Sequence, residues 1–476
     1  MKSTAGCCPS QALGVDVAAP IGLRRDGGAQ PKTVRPLSLR RNCSWIVTGN
    51  VVNMGCQWGR VVLLVHLAGV EKVGMVVLAF AISTPVNVLA YLGLRGTVAT
   101  DTKEEYRFGD YLALRLITAT LAMLVVAAIA LASPYEAETA MVILIVAAGE
   151  LFRSISDIFH ALFQQHERMD RMAISIMIRG LLMLGLLALG ICLTGSVLWG
   201  MLGFPLAMAV TFFGFDLPTG ARMVYASPRT ETKASYDTTR PGGELRPRWN
   251  ARTLVRLTWL TLPLGIAMMM ISLAQSIPRY VVGHLLGLTT LGVFVMVLYL
   301  ALVGAKLVAA VSQSAGPRLA RHYAAGNSTA YCRLLGKLLA LTAAMGVAVV
   351  LGVAVFGGPI LGLLYGAEFR QYAGLAVYLM AAGTMMYLTT PLAQAVDAMR
   401  RFKTHLVMRV LGIVTLLVLL PGLIAAYGLE GAAAAMFIGY LVTILGLAGA
   451  ILTAIRTPQG GDSAAATVGV PAARAA

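Results

Sequence analysis

The sequence predicts an all-α polytopic membrane protein with about 12 transmembrane helices in two pseudo-symmetric six-helix bundles. Three observations carry this. Hydrophobic residues make up 58% of the 476 and charged residues 12%, where soluble chains carry about 25% charged. The mean hydropathy is +0.77, which requires long apolar stretches, and such stretches recur along the chain at the length of roughly 20 residues that crosses a bilayer. Finally, LAGVEKVG (Leu67 to Gly74) matches LLGLTTLG (Leu285 to Gly292) in its apolar and glycine positions. Each copy joins the first span of a half to the second.

In chain order the predicted spans are 43–67, 72–94, 111–133, 137–162, 172–194 and 196–218, then 256–283, 288–312, 335–357, 373–398, 406–427 and 431–455. The segments 1–42 and 457–476 are low in complexity and read as disordered cytoplasmic tails. A cytoplasmic linker over 219–253, rich in Arg, Pro, Thr and Gly, separates an N-terminal lobe (43–218) from a C-terminal lobe (254–456). The first apolar run is of span length and follows a polar tail, so it is expected to stay in the membrane rather than be cleaved.

Charge orients the spans. Of 38 Lys and Arg, Arg60, Arg153, Arg279 and Lys306 lie within spans. Only Lys72 and Arg370 fall outside if the N-terminus is cytoplasmic, and the rest gather on the inner side. By the positive-inside rule both termini are cytoplasmic. The net charge of +17 then reflects inner loops, some of it against anionic lipid headgroups, and implies no nucleic-acid partner. The outer loops are too short for an external catalytic domain. The six cysteines form no CxxC pair and sit near no His at metal spacing, so no disulfide framework, metal or cofactor is predicted.

The informative residues are the polar ones inside spans. Asn50, Asn53, Gln57 and Arg60 step by 3, 4 and 3 and fall within an arc of about 80° on a helix. Glu150, Arg153, Asp157 and His160 repeat that spacing in the fourth span, and Ser272, Gln275 and Arg279 do so in the seventh. A charge at mid-bilayer costs roughly 2.5–3.5 kcal/mol on insertion scales, so these faces turn inward. In the fourth span Arg153 can pair with Glu150 at i, i+3 and with Asp157 at i, i+4. Arg60, Arg279 and Lys306 have no acid in their own helices. His160 reads as a hydrogen-bonded interior residue, and Asp397, beside Arg400 and Arg401, as an interfacial ion pair. With excess cations and amides, the expected cavity favours anions, phosphate above all, since guanidinium matches it in two parallel hydrogen bonds. Arg60, Arg279, Lys306, Asn53, Gln57 and Gln275 are the expected substrate-binding residues. Glu150, Arg153 and Asp157 are the expected coupling or gating residues: an anion competing for Arg153 would free an acid to take up a proton.

Four stretches carry a family resemblance: LGLRGTVATDTKEEYRFGDYLALR (Leu92 to Arg115), FQQHERMDRMAISIMIRG (Phe163 to Gly180), QSIPRYVVGHLLGLTTLG (Gln275 to Gly292) and SQSAGPRLARHYAAGN (Ser312 to Asn327). Over about 43–455 the chain resembles the polysaccharide-exporter branch of the MOP superfamily, which includes Wzx-type lipid-linked oligosaccharide flippases. The resemblance implies a bacterial inner-membrane protein in which two six-helix lobes open alternately to either face. It also implies a polyprenyl-phosphate-linked oligosaccharide as substrate, with membrane lipids and glycan-assembly proteins as contacts. The alternative is a cation-coupled multidrug or small-molecule exporter of the MATE type, but those commonly carry a functional acid in the first or seventh span, where this chain has Asn50, Asn53, Gln57 and Arg60, or Gln275 and Arg279. A third class, a polymerase or ligase, would be expected to show a larger outer loop with catalytic Arg or His. No nucleophile triad or phosphate-binding glycine loop is found, and no enzymatic activity is expected.

Overall fold

The computed structural model describes residues 37–100, 106–226, 245–399 and 401–456. The expected terminal tails, apart from 37–42, and most of the linker lie outside the described residues. Among those described there is no strand. The helices are α1 (Leu39–Ala68), α2 (Val70–Tyr91), α3 (Leu94–Thr100), α4 (Phe108–Ala132), α5 (Ala137–Gln165), α6 (Met169–Thr194), α7 (Val197–Thr211), α8 (Leu217–Ala226), α9 (Ala251–Ala324), α10 (Ser328–Tyr365), α11 (Ala373–Ala398) and α12 (Phe402–Arg456). A π turn, Phe212–Asp216, joins α7 to α8, and a 3-10 turn, Ala367–Tyr372, precedes α11. Nine helices among the described residues are long and apolar enough to cross a membrane.

Two of these are hairpins. At 1.5 Å per residue a straight 74-residue α9 would run ~110 Å, several times the ~30 Å hydrocarbon core. It turns back at Gly287, whose φ of 84° and ψ of 172° interrupt the helix. A Cβ built on Gly283 would lie 3.0 Å from Leu291 Cδ2, although eight residues of straight helix span ~12 Å. Gly428 (φ 57°) does the same in α12, where a Cβ on Gly431 would meet the Leu423 carbonyl at 1.9 Å. Dividing both at their glycines, and adding α5 with its charged stripe, gives twelve rods.

The repeat read in the sequence is a repeat in space. Gly69, between α1 and α2, has φ 86° and ψ 167°, close to those of its counterpart Gly287. A left-handed φ of this kind suits glycine alone. The next glycine of each copy packs against the other copy: a Cβ on Gly74 would meet the Leu288 carbonyl oxygen at 1.8 Å, and one on Gly292 the Val70 carbonyl oxygen at 2.3 Å. Val70 and Leu288 are themselves counterparts, so the contact is reciprocal about a pseudo-two-fold axis. Small residues let helix backbones approach this closely in a membrane.

The same end of the bundle is sealed by side chains. Trp58 Nε1 on α1 donates to Tyr365 Oη at the end of α10 (3.3 Å), and Tyr365 Oη donates to the Met296 carbonyl (3.2 Å). A ring nitrogen of His66 lies 3.2 Å from the Leu364 carbonyl. Tyr135, just after α4, lies close to Tyr280 of α9. Cysteines introduced by Trp58→Cys and Tyr365→Cys in a background without other cysteines are therefore expected to be joined by a bifunctional thiol reagent long enough to replace both rings, since side chains that meet at their tips leave the backbones too far apart for a direct disulfide. The cross-link is expected to stop the transport that the family resemblance implies. Free transport by the cross-linked protein would show that this end never parts.

The fold also differs from the sequence expectation at its edges. The first helix starts at Leu39 rather than 43, and Asn42 is held by donating to the Glu167 carbonyl (2.9 Å) and accepting from the Met169 amide (3.2 Å). Helix continues through Ala226 where a linker was expected from 219, and 245–250 returns with the Arg248 amide bonded to the Gly109 carbonyl at 3.0 Å.

Candidate functional site

The polar stripes of α1 and α5 meet. Both face a cavity of about 100 Å³ lined by Asn53, Gln57 and Arg60 of α1, Glu150 and Arg153 of α5 and Arg179 of α6, with Phe80, Met183, Phe204 and Met208 among the apolar walls. The space would hold a small anion or a few waters, not a sugar chain. All its walls belong to α1, α2, α5, α6 and α7, whereas the sequence reading placed the site between the halves. Asn50 is exposed and does not line it.

Its charges do not cancel. Glu150, 1% exposed, accepts from Arg153 Nε at 2.8 Å and more closely from the terminal Arg153 nitrogen, and Tyr91 Oη reaches it at 3.4 Å. That is the i, i+3 pair expected from spacing. Among the described residues Arg60 forms no ion pair: its guanidinium stacks over the Phe80 ring at 5.4 Å and points at Met183 Sδ, 2.9 Å away. Arg179 forms no ion pair among the described residues. Three guanidiniums thus face one carboxylate, a surplus of two positive charges in a low-dielectric space. Isolated buried charge costs several kcal/mol per ion, which an incoming anion offsets.

Asp157 departs from expectation. It does not pair with Arg153 but bridges Arg115 on α4 (3.2 Å) and Arg95 (3.6 Å). Arg115, 0% exposed, also lies over the Tyr91 ring at 5.0 Å and reaches Ser154 Oγ at 3.5 Å. An arginine so placed outcompetes Arg153, whose fork is already engaged by Glu150.

The second half holds a separate group. Tyr440 lies within electrostatic reach of both Arg279 and Arg409, and the Nε atoms of both arginines are buried without a hydrogen-bond partner. Arg279 is therefore interior, as expected, but does not line the cavity around Arg60. Gln275 and Lys306 are exposed and outside that cavity, so the structure does not bring these two into it. His160 is 1% exposed and bonded to Ser175, as the sequence suggested. Asp397 pairs with His405 at 2.8 Å and, among the described residues, not with Arg401; Arg400 lies outside the described residues.

Sequence reasoning missed Arg179, Arg115 and Arg409, which were counted with inner-loop cations because they lie near predicted span ends. Their depth was the available signal: Arg179 stands more than two turns inside α6, flanked by Ile178 and Gly180.

Among the described residues no cluster of three or more His, Cys, Asp or Glu could hold a metal. A sequence model of the family described as "Polysaccharide biosynthesis protein" matches residues 238–374. The capsular polysaccharide biosynthesis protein CapF of Staphylococcus aureus is 22% identical over 406 residues, 85% of this chain and 97% of that protein. The lipid II flippase MurJ in an inward closed conformation superposes with a TM-score of 0.63 at 13% identity, covering 88% of this chain and 89% of MurJ. An inward-facing multidrug resistance MATE family transporter of the MOP superfamily gives 0.61 at 14%, covering 86% and 96%. The chain is thus a multi-pass membrane protein that shares the helical fold of these transporters and is similar over residues 238–374 to the polysaccharide biosynthesis family.

Proposed function

We propose that the protein is a flippase that carries a polyprenyl-phosphate-linked oligosaccharide from the cytoplasmic to the outer leaflet of the bacterial inner membrane, by alternating access. The single observation that carries this reading is the unbalanced charge of the cavity, where Arg60, Arg153 and Arg179 face Glu150. A phosphate or diphosphate supplies the missing negative charge and can take two parallel hydrogen bonds from a guanidinium. Asn53 and Gln57 add amide donors beside it. Arg279 and Arg409 offer a second cationic position in the other half, so that a headgroup moving between the halves would not lose its counter-charge. The lipid tail stays in the bilayer. We place both termini in the cytoplasm, with six spans in each half and the reciprocal Gly74 and Gly292 contact at the outer face. The role is transport, without turnover of a covalent bond.

The MATE fold similarity favours a second reading, cation-coupled drug export. A cavity with surplus guanidinium repels cationic drugs, which speaks against it. Deleting the gene is expected to remove a surface polysaccharide and leave its lipid-linked oligosaccharide on the inner leaflet, measurable by extraction and leaflet-selective labelling. Normal polysaccharide with raised sensitivity to cationic drugs would favour the export reading.

A further inference from the structure

Ser156 lies about 60° around α5 from Arg153 and His160 about 20° from it, and both contact α6 or the π turn rather than line the cavity. There they meet another acid. Ser156 Oγ donates to Asp216 Oδ2. His160 Nε2 lies 3.7 Å from Asp216 Oδ1 and 2.9 Å from Ser175 Oγ. Asp216 and Ser175 are 0% exposed, His160 1% and Ser156 3%. Rings close over the group, Phe163 at 6.0 Å from His160 and Phe159 edge-on to Phe212 at 5.6 Å.

Asp216 differs from the other interior acids in its partner. Glu150 has Arg153, and Asp157 has Arg115 and Arg95. Among the described residues no Lys or Arg forms an ion pair with Asp216, and its Oδ1 is buried without a hydrogen-bond partner. A carboxylate there, beside a neutral imidazole, would be a buried charge with Arg179 only at a distance and no Lys or Arg paired with it among the described residues, which is costly. One added proton, on Asp216 or on His160, brings the pair to zero charge. The acid also sits on a π turn, and such turns within α-helices concentrate at functional sites.

We propose that Asp216 and His160 form a proton-binding dyad that holds one proton in the resting protein, at a site separate from the anion cavity. The charged groups around it are Arg179 from α6, Asp157 from α5 and, behind Asp157, Arg115 from α4. Arg179 repels the proton and also lines the cavity. An anion bound there screens Arg179 and strengthens proton binding, and by reciprocity the proton strengthens anion binding. The proton site does not depend on the flippase reading and stands or falls separately from it.

The test is infrared difference spectroscopy with nitrogen NMR of histidine-labelled full-length protein in lipid nanodiscs, titrated between about pH 5 and 8. Expected is either the carbonyl band of a neutral carboxylic acid, lost in Asp216→Asn and displaced in Asp216→Glu, or an imidazolium signal lost in His160→Gln. Asp157→Asn should leave either signal present. An ionised Asp216 beside a neutral His160 throughout that range would overturn the proposal. So would a signal abolished by sodium but not by choline at fixed pH, which would make this a sodium site.

Discussion

Replacing Arg60 and Arg179 together by alanine is expected to cut transport by about 100-fold or more while the protein still inserts and folds. Hydrogen bonds to charged groups contribute roughly 1.5–3 kcal/mol each, and 1.4 kcal/mol is a factor of ten, so two lost guanidiniums account for that scale. Folding should survive because neither arginine forms an ion pair with an acid among the described residues, and removing them relieves the buried positive surplus. Arg153→Ala should behave differently. It strands Glu150, 1% exposed and already with one oxygen unpartnered, and breaking such a pair costs about 3–5 kcal/mol. Poor insertion or low yield is expected for Arg153→Ala, with rescue by a second change, Glu150→Gln. Lysine at 60 and 179 should restore part of the transport, since the charge returns and the fork does not. Flipping and yield measured on the same preparations check this. Wild-type transport by the double alanine variant would remove these arginines from the substrate path.

Gly74→Ala and Gly292→Ala form the second large expectation. Each new methyl group would sit at 1.8 Å or 2.3 Å from a carbonyl oxygen of the opposing repeat, so the helices must move apart by more than 1 Å. Overpacking of this kind costs about 1–3 kcal/mol, enough to shift a two-state balance by 5- to 150-fold. Both variants should therefore depopulate the state sealed by Trp58 and Tyr365 and lose most transport. Because the contact is reciprocal, the two substitutions should act in the same direction and to similar extent, which an accidental close approach would not require. Spin-label distances between the ends of α1 and α10 report the shift. Unchanged distances and full transport would mean that the glycines are only spacers.

Much of this was legible in the sequence. Hydropathy located the rods, because a helix that faces lipid has no way to hide polar residues. The i, i+4, i+7 spacing put Asn53, Gln57 and Arg60 on one face, and the i, i+3 spacing put Glu150 with Arg153, since helical geometry alone decides those faces. The glycine repeat marked two equivalent turns before any coordinates. What could not be read was pairing between helices. Asp157 has Arg153 four residues away, yet it binds Arg115, 42 residues earlier, and no local rule ranks those partners. Arg179 was hidden by the positive-inside rule, which treats a cation near a helix end as an interfacial one whether or not the chain continues past it. Asp216 went unread near the predicted end of its span at 218, because its depth depends on a π turn, which shifts the register of everything after it.

The account rests on the claim that the cavity serves an anionic, lipid-linked headgroup. The most direct measurement is flipping in proteoliposomes of a short-chain polyprenyl-diphosphate oligosaccharide, followed by protection of its sugar from an external glycosidase, with a cationic dye assayed in parallel. The wild-type protein is expected to move the lipid-linked sugar and the Arg60→Ala, Arg179→Ala variant to leave it in place, and neither is expected to move the dye. Dye transport driven by an imposed sodium or proton gradient, with the lipid-linked sugar left in its original leaflet, would contradict it.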